Sequence, residues 1–168
     1  MALASEKRIL VVDDEPDVRD FLATCLKDAG FNVETAINGV DAMEKIDQNL
    51  PDLMTLDMVM PRKSGLSLVR KLRKNEKWNA MPVIVITAHA KDEMAKEDVK
   101  EILMSSEAKQ DNRFLLEKPI VPSVLIDKVC SILDVATAED VATKEDLISA
   151  LKNASGDTLR EVKKILTK

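Results

Sequence analysis

The chain has 168 residues, 45% hydrophobic and 33% charged, enough for one packed domain and an appendage. A net charge of −5 provides no basic field for nucleic acid or anionic lipid, and 2% aromatic content without Tyr offers no platform for stacked bases. No apolar run approaches the roughly 20 residues of a membrane span, and residues 1–7 lack the apolar core of a secretory signal.

A cytoplasmic protein is therefore expected. Cys25 and Cys130 fall on the apolar faces of two predicted helices and read as buried hydrophobes rather than a redox pair. The first strand-like run, Ile9 to Val12, stops at Asp13 and Asp14. Pro16 opens a helix whose apolar stripe is Val18, Phe21, Leu22, Cys25, Leu26 and Ala29, and Gly30 closes it. Phe31 to Ala36 reads as a short strand, and Asn38 with Gly39 as the turn into a helix carrying Val40, Met43 and Ile46. After Pro51, the run Leu53 to Leu56 ends on Asp57. Ser64 and Gly65 begin a helix with Leu66, Val69 and Leu72 inside and Arg70, Lys71, Arg73 and Lys74 as a solvated basic face.

The fourth run, Val83 to Ile86, follows Pro82 and ends on Thr87. A highly charged stretch follows, with Met94, Val99, Ile102 and Leu103 as its apolar stripe. Phe114 to Leu116 is the fifth run, followed by Glu117, Lys118 and Pro119. A helix from Pro122 and Ser123 then buries Val124, Leu125, Val129, Ile132 and Leu133. Short apolar runs alternating with helical periodicity predict an α/β domain around a parallel sheet, five strands and five helices, complete by about residue 134.

The rest, 135–168, is close to neutral. Thr143 begins a capping pattern ahead of Leu147, Ile148 and Leu151, and after Gly156 a second stripe runs through Leu159, Val162, Ile165 and Leu166. Two short amphipathic helices are predicted, too short and too weakly charged for a DNA-binding output module. Packing back on the domain and self-association, as a homodimer through these helices or with a partner helix, both stay open.

If the runs are parallel strands of one sheet, Asp13, Asp14, Asp57, Thr87 and Lys118 meet at its carboxyl edge, where open α/β sheets bind ligands. Three carboxylates suit a hard divalent cation such as Mg²⁺, which takes oxygen ligands. A carboxylate attacks phosphorus poorly unless charge on the transferring group is neutralised. Lys118 supplies a point charge and Thr87 a rotatable donor for phosphoryl oxygens. Taken singly, a strand-end Asp is more often a turn former, Lys118 a solvated lysine and Thr87 a β-former. Their coincidence on four strand ends carries the phosphoryl reading.

The motifs holding these residues are specific. Val11-Val12-Asp13-Asp14-Glu15-Pro16, Leu56-Asp57 through Met60-Pro61 with Gly65, Ile86-Thr87-Ala88-His89 and Glu117-Lys118-Pro119 together resemble the receiver domain of two-component response regulators, over about residues 7–134. The resemblance implies a flavodoxin-like (βα)5 three-layer sandwich, a five-stranded parallel sheet in the order 2-1-3-4-5, a receiver over 7–134 and a C-terminal helical extension over 135–168. That topology is the one general rules cite for receivers themselves. It also implies a bacterial phosphorelay module rather than an enzyme in its own right. Asp57 would accept a phosphoryl group from a sensor histidine kinase or phosphotransfer protein. Asp14, Asp57 and the Val59 backbone carbonyl would ligate Mg²⁺, with Asp13 acting through water. Thr87 would move to the phosphoryl oxygens, Lys118 would pair with them, and the switched face would control a downstream protein.

Departures from the family pattern carry their own expectations. Leu115 stands three positions before Lys118, where most receivers have an aromatic ring, and Phe114 falls on the opposite face by strand alternation. Leu115 can repack but lacks a ring's swing. The stretch between Thr87 and Lys118 is about two helical turns longer than usual, within 90–112. This predicts that the protein does not use the family's common dimer built on that face. Val59 and His89 flank the site; an apolar Val59 cannot orient a water, which predicts slow self-dephosphorylation, and His89 reads as an exposed loop residue. Two rivals remain at this stage. A haloacid dehalogenase-like phosphatase would use Asp57 as nucleophile but wants an acid where Val59 sits. A flavodoxin-like cofactor binder would need a Gly-rich phosphate loop, and the chain has four Gly and no Gly-x-Gly.

Overall fold

The computed structural model describes residues 2–58, 60, 64–88, 97, 100, 114–136 and 148–149. The chain divides into two compact units, Met1–Val135 and Ala136–Lys168. In the first, five strands lie parallel in the order β2-β1-β3-β4-β5, as predicted: β1 Arg8–Val12, β2 Asn32–Ala36, β3 Leu53–Asp57, β4 Val83–Thr87 and β5 Leu115–Glu117. The central strands β3 and β4 are buried at every position, as a sheet covered on both faces requires. Four helices accompany the described strands: α1 Pro16–Asp28, α2 Gly39–Gln48, α3 Ser64–Lys74 and α4 Pro122–Leu133.

Local chemistry sets the helix ends. Pro16 and Pro122 each stand in a first helical turn, where a missing N–H costs nothing. Gly30 adopts φ +94° just past α1, a left-handed conformation that a side chain would strain. Asn38 caps α2, its Oδ1 accepting from the N–H groups of Val40 and Asp41 at 2.9 Å each.

Strand alternation sorts the core into two halves. One half joins Leu10, Val12, Met54, Leu56, Val83 and Val85 to Ala42 and Ile46 of α2 and Leu68 and Leu72 of α3. The other joins Ile9, Val11, Leu53, Ile84, Ile86 and Leu116 to Leu22 and Leu26 of α1 and Leu125 and Val129 of α4. The sheet is therefore the middle of three layers.

Among the described residues, several depart from the sequence expectation. Phe21, Val40 and Val124, expected inside, are 43%, 69% and 41% exposed. Val40 and Val124 lie in the first turns of α2 and α4, and Phe21 lies outside the Leu22–Leu26 line that meets the sheet. Arg73, expected in a solvated face, is half-buried and donates from Nη1 to the carbonyls of Asn79 and Met81, clamping the last turn of α3 to the entry of β4. Phe114 falls just ahead of β5 rather than within it.

Candidate functional site

Parallel register brings the polar groups to one edge. Val12 pairs with Leu56, so Asp13 and Asp57 follow at neighbouring strand ends. Asp57 pairs with Ile86, one residue before Thr87, and Thr87 pairs with Glu117, one before Lys118. The Lys118 N–H donates to the Thr87 carbonyl at 2.9 Å, locking the ends of β4 and β5 together. The Lys118–Pro119 peptide bond is cis.

Asp13 and Asp57 are buried, at 1% and 0% exposure, while Asp14 is open to solvent. One carboxylate oxygen from each of Asp13, Asp14 and Asp57 lies within 4.8 Å of the others. Lys118 reaches over this group, its Nζ 3.2 Å from Asp57 Oδ2 and 3.8 Å from Glu15 Oε1. The Glu15 N–H donates to Asp13 Oδ1 at 2.9 Å, and Arg19 Nη1 donates to the Asp13 carbonyl at 2.9 Å.

Electrostatics follow from crowding. Burial pushes the Asp13 carboxyl up to about 6; the Glu15 N–H and Lys118 oppose this, and the charges of Asp57 and Asp14 reinforce it. Burial by itself would lower the Lys118 ammonium, but the charge and hydrogen bond of Asp57, then Asp13 and Glu15, more than offset it and raise its pKa. Asp13 Oδ2 is buried and has no hydrogen-bond partner. A buried polar atom left this way is costly unless something else takes it up. A cation held by the three carboxylates fits that orphaned oxygen, and an all-oxygen donor set suits Mg²⁺.

Of the residues expected at the site, Asp13, Asp14, Asp57 and Lys118 converge, and Thr87 ends the strand beside Asp57, 1% exposed. Val59 and His89 lie outside the described residues, as does the 90–112 segment apart from Glu97 and Lys100. Leu115 pairs with Val85 two residues before Thr87 and packs on the α2–α3 side of the core. Glu15 and Arg19 were not anticipated. The sequence signal for Glu15 is a third acid directly after the acidic pair; Arg19 had none beyond its charge.

The response regulator receiver domain family matches residues 9–130. The chain belongs to this family. The chain is 33% identical over 156 residues to the response regulator MprA of Mycobacterium ulcerans, covering 92% of this chain and 62% of that protein. It thus spans under two thirds of that relative's length. The chemotaxis response regulator CheY4 of Vibrio cholerae superposes with a TM-score of 0.64 at 26% identity, covering 79% of this chain and all of that one. The response regulator receiver of Bermanella marisrubri gives 0.62 at 32%, covering 75% and 97%. Membership places the receiver in phosphorelay signalling, where acidic pockets of this kind typically use Mg²⁺ and regulators work with histidine kinases and downstream partners. Among the described residues no helix is long and apolar enough to cross a membrane.

Proposed function

We propose that this receiver, spanning 7–134, is a cytoplasmic phosphorelay switch that accepts a phosphoryl group on Asp57 from a sensor histidine kinase or phosphotransfer protein. The observation that carries the reading is the pairing of buried Asp57 with Lys118 beside the three-carboxylate cluster. An Asp57 oxygen attacks phosphorus as the donor's phosphorus–nitrogen bond breaks, leaving an acyl phosphate on Asp57. Asp13, Asp14 and Asp57, with the Val59 carbonyl, would hold Mg²⁺, Asp13 through water. When bound, that ion neutralises phosphoryl charge and keeps donor and acceptor in line.

Lys118 orients Asp57 beforehand and pairs with the phosphoryl oxygens afterwards. Thr87 donates its hydroxyl to the same oxygens, and its shift is passed to Leu115 on the neighbouring strand, reshaping the surface that a downstream protein reads. That contact, or a self-association, is assigned to the segment 135–168. The protein is not an enzyme with a turnover substrate; its chemistry is gain and loss of its own phosphoryl group.

The test is incubation with acetyl phosphate and Mg²⁺, followed by intact mass. Wild type gains one phosphoryl mass and Asp57→Asn gains none. An equal gain in both would sink the assignment.

A further inference from the structure

Glu15 stands directly after the acidic pair, at the N-cap of α1. Its backbone N–H is committed to Asp13 Oδ1, which fixes where the residue sits. Its side chain makes no capping bond to the helix. Instead its carboxylate lies 3.8 Å from Lys118 Nζ, with 62% of the side chain exposed. Lys118 thus lies between two carboxylates of opposite character. Asp57, at 3.2 Å, is fully buried, whereas the Glu15 side chain lies mostly in solvent.

While Asp57 is unphosphorylated, the ammonium hydrogen-bonds Asp57 and holds Glu15 by charge alone. A phosphoryl group on Asp57 adds three strong acceptor oxygens and about −1.5 to −2 of charge. Those oxygens compete for the same ammonium, and Glu15 then faces a like charge at close range. We propose that Glu15 is a displaceable counter-ion of Lys118, holding the ammonium before phosphorylation and yielding it to the phosphoryl group. This rests on Asp57 being the acceptor. Glu15 is a positioning residue that acts through Lys118, and its presence slows loading of Asp57 and weakens binding of anions that mimic the phosphoryl group. The pair is exposed and long, so its worth for folding is small.

The test uses the full chain with Mg²⁺, following acetyl phosphate loading by intact mass and beryllofluoride affinity by titration. Glu15→Gln is expected to load about two- to fivefold faster and bind beryllofluoride more tightly by a similar factor, the range to which an exposed ion pair's energy converts. Its Tm stays at the wild-type value. Glu15→Asp keeps the charge but is one methylene shorter, so it follows Glu15→Gln if the pairing matters. Raised salt narrows the gap between Glu15→Gln and wild type. If wild type loads on Asp57 and Glu15→Gln loads no faster, the counter-ion role is wrong while the acceptor assignment stands. If Glu15→Asp behaves as wild type, general repulsion rather than the Lys118 pairing is responsible, and the inference also fails. Absence of loading in wild type, or loading that survives Asp57→Asn, would sink the acceptor assignment and the inference with it.

Discussion

Lys118 Nζ donates to Asp57 Oδ2 at 3.2 Å, joining two residues 61 positions apart at the ends of β5 and β3. The buried carboxylate thereby gains a cation that is one-fifth exposed and reachable from solvent. Replacing Lys118 with Ala removes the charge that the transferring phosphoryl group would meet. Loading from acetyl phosphate is expected to slow at least about tenfold, since removal of one preorganised donor at such a centre commonly costs more than that. Intact mass against time measures it.

Metal binding should depend on pH through Asp13. Its carboxyl pKa is raised to about 6, so the metal-free fold holds a proton there up to that pH. Below it, a cation must displace the proton, and affinity is expected to fall by roughly tenfold per pH unit. A Tm rise produced by Mg²⁺ at pH 7.5 should shrink strongly at pH 5. An Asp13→Asn variant should lose most of the Mg²⁺-induced rise at both values.

Gly65 approaches β3 closely. A Cβ there would lie 3.3 Å from the Asp57 carbonyl oxygen, and that neighbour is buried backbone with little room to give. Gly65→Ala gains up to about 1 kcal/mol of helix propensity, but crowding costs about 1–3 kcal/mol. The expected outcome is a lower urea midpoint together with slower loading of Asp57.

Arg73 offers a stability test away from the chemistry. Its guanidinium bonds to the Asn79 and Met81 carbonyls, so Arg73→Leu leaves those carbonyls short of a donor. A loss of about 1–3 kcal/mol in urea unfolding is expected, with the loading rate of Asp57 unchanged.

Val59→Asn tests the lifetime of the modified state. An amide two residues after Asp57 can orient a water where Val cannot, so phosphate release from the loaded protein should accelerate. Equal release rates would dismiss the idea.

Most of the fold was legible because its signals are local. Continuous apolar runs at Leu53–Leu56 and Val83–Ile86 identify doubly covered strands, and Pro16, Gly30, Asn38 and Pro122 mark helix ends through backbone chemistry alone. Asp13, Asp14, Asp57 and Lys118 were legible because parallel strands have to deliver their ends to one edge. Residues whose fate depends on tertiary docking were not. Phe21 and Val40 carry the right period, but a helix face is wider than the stripe that meets the sheet. Arg73 looks like its basic neighbours until the loop carbonyls of Asn79 and Met81 are seen to turn toward it. Glu15 met Lys118 only through folding, across more than a hundred positions of chain.

Asp13 and Asp57 follow Val11 and Leu53 in strand alternation, on the side that packs with α1 and α4. Thr87 follows Val83 and Val85, on the side that packs with α2 and α3. A phosphoryl group gripped from both directions would act as a rivet at the edge of the sheet, fastening the two helical layers to each other. Tension on that rivet would be passed first to Leu115, which packs with the Thr87 layer, so an aliphatic there makes the message a change of fit rather than the turning of a ring.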